Sequence, residues 1–270
     1  MKNILNRLFK LLRLFRSKNS QTQKINYECR AVGFIDVLGF GNIVNSSVCN
    51  GAPSPKLENL VRILESAVPS FDAMVDPDVP IELIPKHIYI SDCIILSAPV
   101  KTPNNPDYNG LEILCMRIIQ IGLALLEHGY LIRGGVSVGP VWHSESNIVG
   151  PAYQKAVKIE KETRAPRVVL SDEAAEFWHQ YSGTHNKMCI NYRNKTMVNI
   201  LHDYYMKPEH KTREDAIKKI NSIYSIASRK LCETIDESAR YKWWWFMEYL
   251  DKTKNTNPFL TVNWQKKISL

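Results

Sequence analysis

Nowhere in the chain do 18 uncharged apolar residues follow one another, so a conventional helical membrane span is not expected. CxxC pairs are missing too. The six cysteines, Cys29, Cys49, Cys93, Cys115, Cys189 and Cys232, are scattered, several of them in apolar runs. That pattern suits a reduced, cytoplasmic protein. The histidines show no metal-ligand spacing, and His128 and His143 read as surface or loop residues. There is no internal repeat. Acids are absent from residues 1 to 24, which hold Lys2, Arg7, Lys10, Arg13, Arg16, Lys18 and Lys24. These seven cations supply most of the net charge of +8. The remaining body is nearly neutral and lacks the basic patch of a nucleic-acid-binding domain, so no nucleic-acid partner is expected.

What is present is ordinary globular material. A chain of 270 residues, 44% hydrophobic and 23% charged, fits one large domain with extensions. The expected organisation is a basic amphipathic segment over residues 1 to 24, a main α/β domain over 25 to 205, and a helical extension over 206 to 270. In the first segment Ile4, Leu5, Leu8, Phe9, Leu11, Leu12 and Phe15 share the helix surface with the basic residues. Residues 1 to 18 could therefore lie on an anionic membrane surface, peripheral at the inner membrane, or dock on a partner. The competing reading packs them on their own domain. Charges interrupt every apolar stretch, unlike a signal peptide.

Periodicity predicts a buried strand over 29–38, a helix over 56–68 and a strand from His87 to Ile90. Ser91-Asp92 turns that strand back into CIILSA. A helix over 110–128 ends at Gly129, and a long Gly-bearing strand over 130–142 follows. Next come a helix over 151–163, a strand near 167–170, a helix from 172, and a hairpin turning at Arg193-Asn194-Lys195. Two helices near 213–230 and 233–251 close the chain. This order describes an α/β sandwich with a largely antiparallel sheet, and the hairpin at Asp92 rules out a simple doubly wound one. Trp243, Trp244 and Trp245 are consecutive and cannot all face one core, so either some meet a partner subunit while others contact the main domain, or the run serves the core alone.

Two residues do not belong in this apolar scheme. Asp36 sits in AVGFIDVLGF and Asp92 in HIYISDCIIL. A buried carboxylate is costly unless it is paired or holds a metal. Each follows a strand and precedes a small or flexible element. Together they suggest a shared cation with oxygen ligands, such as Mg²⁺ or Mn²⁺. Singly, each has a plainer role, Asp36 as a helix cap and Asp92 as a turn residue. RGGVSVGPVWHSESNIVGPAYQKAVKIE adds a strand and a helix entry rich in Gly, Asn, Gln and Lys.

FIDVLGF, YISDCII, RGGVSVGPV and NIVGPAYQKAVKIE, in that order over roughly residues 29 to 200, resemble the motifs of class III nucleotidyl cyclase catalytic domains. More distantly they resemble the bacterial antiphage pyrimidine cyclases. The resemblance implies a ferredoxin-like sandwich that converts a nucleoside triphosphate to its 3′,5′-cyclic monophosphate and pyrophosphate. It implies two divalent ions, Mg²⁺ or Mn²⁺, held by Asp36, Asp92 and the carbonyl of Val37. Backbone N–H groups of Leu38, Gly39, Phe40, Gly41 and Asn42 would cradle phosphates. The sites would lie in a head-to-tail homodimer, with Asn147, Gln154 and Lys158 reaching across. Four positions depart from the purine enzymes. The base-reading Lys and Asp are replaced by Ile88 and Asn147, and the ribose-orienting Asn and the Arg by Gln154 and Lys158. Asn147 offers both a donor and an acceptor, so it suits uracil or cytosine, and the substrate becomes UTP or CTP. The product would then activate a cyclic-nucleotide-dependent effector in antiphage defence. Arg133 either reaches a phosphate or pairs with Glu127 or Glu145. Rival readings are a nucleotide-binding signalling module without turnover and a membrane-associated adaptor. The histidine–aspartate clusters of a phosphodiesterase and the acidic glycine-rich hairpin of a diguanylate cyclase are missing.

Overall fold

The computed structural model describes residues 25–47, 52–182, 187–202 and 213–254. The basic N-terminal segment lies outside them, so its membrane, partner and packing readings stay open. Strand β1 (Glu28–Val37) runs into helix α1 (Phe40–Ser47), then α2 (Pro55–Asp72). A hairpin of β2 (Lys86–Ile90) and β3 (Cys93–Pro99) follows, then α3 (Gly110–Glu127) and β4 (Ile132–His143). After β4 come β5 (Ile148–Val149), α4 (Pro151–Glu162), β6 (Val168–Leu170) and α5 (Asp172–Tyr181). The hairpin of β7 (Cys189–Tyr192) and β8 (Lys195–Val198) and helices α6 (Arg213–Glu233) and α7 (Glu237–Lys254) complete the order.

The main path of the sheet reads β2-β3-β1-β4-β6-β8-β7, and β5 pairs with β4 off it. The first four strands are antiparallel neighbours with β1 and β3 inside, which is the ferredoxin-like arrangement. Among the described residues only the β4–β6 pair is parallel. The expected α/β sandwich with a largely antiparallel sheet and C-terminal helices is therefore what the chain forms. Local signals agree with it. Ser54 and Asn109 cap α2 and α3 by accepting from Leu57 and Glu112 N–H groups. Ser91, Arg193 and Asn194 take positive φ at the two hairpin turns.

Alternation in β1 divides two cores. Ala31, Ile35 and Val37 face the larger one, with α2 and α3. Val32 joins Ile95, Val141, Ile148, Ala152 and Ala156 beneath α4. The C-terminal helices belong to the larger core. Trp245, Phe246 and Tyr249 are almost wholly buried there, and Trp243 is 7% exposed. Tyr249 Oη donates to Asn199 Oδ1. Trp244 is half-buried against the same cluster. The tryptophans thus serve chiefly as core, because α7 lies across the sheet edge and stacks Trp245 edge-on against Tyr192.

The glycine-rich stretch of β4 has a steric reason. A Cβ on Gly135 would lie 2.2 Å from the Ala156 carbonyl oxygen of α4. Helix and strand backbones touch there, so a side chain must push them apart. Gly135→Val is expected to cost about 3 kcal/mol, the upper range for overpacking a core. A urea melt checks it, and an unchanged midpoint would mean that α4 is not seated on β4 in this way.

Candidate active site

Strand alternation puts Asp36 on the α4 face of the sheet, at the end of the central strand. Its cross-strand neighbours are Cys93 on β3 and Arg133 on β4. Asp92 occupies the β2–β3 turn, and its carbonyl accepts the Val37 N–H at 3.2 Å. One ligand atom each from Asp36, Asp92 and Cys93 falls within a 4.8 Å circle. The sheet thus brings together two acids 56 positions apart in sequence. Val37 itself is 1% exposed, with its side chain in the opposite core, so only its backbone neighbours the acids.

Arg133 lies between carboxylates. Its Nε donates to Asp36 Oδ2 at 2.9 Å and stands 2.6 Å from Glu160 Oε1 on α4. The single Nε–H is directed at Asp36, which leaves Glu160 Oε1 buried in an ion pair without a hydrogen bond. The partners are therefore Asp36 and Glu160 rather than Glu127 or Glu145, and Glu127 pairs with Lys219. Both Arg133 contacts run through Nε. Its side chain is 30% exposed, so among the described residues the two Nη groups remain for an incoming anion.

These surroundings shift the acids. Burial pushes the Asp36 carboxyl up to about 6, helped by a hydrogen bond and charge repulsion from Asp92, while Arg133 pulls the other way. The Cys93 thiol is pushed up to about 12, first by burial and then by the charges of Asp92, Asp36 and Glu160. Two carboxyl groups in contact suit a divalent cation, which would relieve the repulsion and favour the charged forms.

The turn after β1 is open. Gly39 has φ +86, and a Cβ on Gly39 or Gly41 would meet nothing within 4 Å. The Leu38 N–H is spent on the Leu131 carbonyl at 2.9 Å, so it is committed within the fold. Phe40, Gly41 and Asn42 form the first turn of α1, where N–H groups have no intrahelical acceptor. Ile88 is half-buried and packs in the α4-side core, with His87 and Tyr89 turned to the other face.

Asn147, Gln154 and Lys158 are exposed. Lys158 Nζ lies 3.9 Å from Glu162 in a solvent-facing pair. In one chain these three are not gathered with the acids among the described contacts. Glu160 was missed from sequence, although Ala152, Ala156 and Glu160 lie at i, i+4, i+8 on one buried face. His143, read as a surface or loop residue, ends β4 and is 5% exposed. Its Nδ1 bonds Ser97 Oγ at 2.6 Å, and burial beside Arg30 lowers its pKa to about 4.

The raised Asp36 value has a consequence for stability. An acid that binds its proton more tightly when folded costs stability once ionised. Its contribution is intact below about 4, the ordinary carboxylate value, and is lost as pH rises through about 6. In metal-free protein the thermal midpoint of wild type is expected to fall over this window relative to Asp36→Asn. Parallel midpoint profiles would show that Asp36 titrates ordinarily.

No family model matches the chain, and no curated protein matches it. Solved structures do overlap with it. A bacterial light-regulated adenylyl cyclase is 15% identical, covering 73% of this chain and 99% of that one, with TM-score 0.44. The adenylyl cyclase CyaB from P. aeruginosa is 13% identical, covering 65% and 94%, with TM-score 0.43. The catalytic core of a rhodopsin-guanylyl cyclase with converted specificity, in complex with ATPαS, is 19% identical, covering 57% and 82%, with TM-score 0.39. All three scores are low, and the functional reading rests on the side chains described above.

Proposed function

We propose that the chain is a pyrimidine nucleotide cyclase, forming the 3′,5′-cyclic monophosphate of UTP or CTP and releasing pyrophosphate. The observation that carries this reading is the meeting of Asp36 and Asp92 within 4.8 Å beside an open, glycine-bearing turn. The motif order in the sequence supports it.

In the reaction the ribose 3′-oxygen attacks the α-phosphorus, losing its proton. One P–O bond forms, and the bond to the bridging oxygen of the β-phosphate breaks. Asp36 and Asp92, with the Val37 carbonyl, would hold two Mg²⁺ or Mn²⁺ ions. When bound, these ions acidify the 3′-hydroxyl and neutralise the departing phosphates. The free first-turn N–H groups of α1 receive phosphate oxygens. Arg133, fixed through Nε, presents its Nη groups to the same charge. Glu160 keeps that guanidinium in place from behind.

The remaining groups come from a second copy of the chain. Asn147 reads the base, Gln154 bonds the ribose and Lys158 meets phosphate charge. Their exposure on each protomer is what a shared site requires. Ile88 narrows the pocket for a small ring. A product of this kind acts as a second messenger on a cyclic-nucleotide-activated effector, and a role in antiphage defence follows the sequence resemblance alone.

Incubation with ATP, GTP, CTP and UTP in turn, with Mn²⁺ or Mg²⁺, followed by mass analysis, tests this. A cyclic pyrimidine monophosphate with pyrophosphate is the expected outcome, and no product from any triphosphate would overturn the enzyme reading. Asp36→Ala or Asp92→Ala is expected to fall below about one hundredth of the wild-type rate, the scale on which a lost preorganised electrostatic group acts. Mixing Asp36→Ala with Lys158→Ala chains should restore about a quarter of wild-type activity, because random pairing leaves one intact site in each mixed dimer. No recovery after subunit exchange would place each site within one chain.

A further inference from the structure

On the larger-core side of the β1–α1 turn, away from the acids, lies a cavity of about 270 Å³. One wall is the turn itself, through Gly39 and Asn42; the other is the α6–α7 junction. Lys56 from the start of α2, Lys230 from α6 and Lys242 from α7 all line it. The mechanism above uses none of the three.

Their arrangement is costly as it stands. No described carboxylate forms an ion pair with Lys56, Lys230 or Lys242, and the charge of Glu233 offsets only part of what bears on Lys230. The acid in the lining, Asp236, is engaged at the start of α7, where its Oδ1 accepts the Ala239 N–H at 2.7 Å. The Lys230 pKa is lowered, first by burial and then by the charges of Lys56 and Arg229. Its stem is held in place as well. Gly129 turns the chain out of α3 with φ +77, and a Cβ there would lie 3.2 Å from Lys230 Cε. The hydroxyl protons of Ser46 and Thr234 are spent on the Ile43 and Lys230 carbonyls. Beside the Asp236 carboxylate, the donors left are three ammonium groups and the Asn42 amide, so the lining carries a net positive charge and suits an acceptor-rich ligand.

We propose that this cavity binds a small phosphate-bearing anion of two or more charges, gripped by Lys56, Lys230 and Lys242. The anion ties the C-terminal helices to the β1–α1 turn. Because Asn42 and Gly39 belong to both the cavity and the turn, occupancy fixes the position of α1. The ligand is either free phosphate or pyrophosphate, or the phosphate chain of a nucleotide; the chemistry is shared. The site includes neither Asp36 nor Asp92, although Gly39 and Asn42 belong both to it and to the turn that the catalytic reading uses.

Calorimetric titration of the full chain with orthophosphate, pyrophosphate and a nucleoside triphosphate, each without divalent metal and against KCl of matched ionic strength, tests it. Saturable binding of at least one is expected, and the tightest of the three identifies the source. Orthophosphate binding should be unchanged in Asp36→Ala. Lys230→Gln and Lys242→Gln should each weaken binding about tenfold, the scale of one charge-assisted hydrogen bond. Circular dichroism melts of both variants without ligand confirm that they are folded. Binding that survives the Lys230→Gln, Lys242→Gln double variant, or orthophosphate binding that disappears in Asp36→Ala, would overturn the assignment. So would a response matched by KCl. None of these readouts depends on turnover, so failure here is distinct from failure to make a cyclic product.

Discussion

Two carboxylates, Asp36 and Glu160, share one guanidinium, that of Arg133, at the end of the central strand, and a third, Asp92, presses on Asp36 from the adjoining turn. A buried carboxylate without compensation is expensive, and one arginine cannot satisfy three. Burial first, and then Asp92, pushes the Asp36 carboxyl up to about 6, and Arg133 offsets this only in part. The same deficit makes the place attractive to a divalent cation. A site built only for stability would have dispensed with one of the acids.

The fold makes that crowding possible. The 2-3-1-4 order places β1 between β3 and β4, so one residue at its end has neighbours on both sides. Cys93 and Arg133 are those neighbours, and the β2–β3 turn brings Asp92 alongside. Gly135 lets α4 approach closely enough for Glu160 to reach Arg133. Register thus does the work, because a slip by one residue in β1 would carry Asp36 to the α3 face and Ile35 into the charge cluster.

Much of this was legible in the sequence where the signal was an exception to a pattern. Asp36 and Asp92 stood out because polar residues in apolar strands are rare. The hairpin at Ser91 and the cap position of Gly129 followed from local backbone chemistry. Glu160 was hidden for the opposite reason. It sits in KIEKE, among exposed charges, and only its spacing from Ala152 and Ala156 marks it as inward-facing. The partners of Arg133 were misjudged because they come from strand pairing and helix packing far away in sequence. His143 was hidden likewise: its bond to Ser97 spans 46 positions. The tryptophan run was expected to be divided between core and a partner or to serve as core alone, and a helix laid over a sheet edge can bury residues over a wide arc.

Helix α4 joins the two halves of the proposed chemistry. Residues 152, 156 and 160 fall on one stripe, which packs on the sheet and ends in the carboxylate that steadies Arg133. Residues 154 and 158 are two positions away from members of that stripe, a rotation of about 200° at helical pitch. They therefore cannot face the acids of their own chain while Glu160 does. If Gln154 and Lys158 act on substrate, they act on substrate held by another copy. On the proposed reading, the geometry of this one helix calls for a second copy of the chain, with the ribose- and phosphate-contacting side chains of α4 on one partner and the acids on the other.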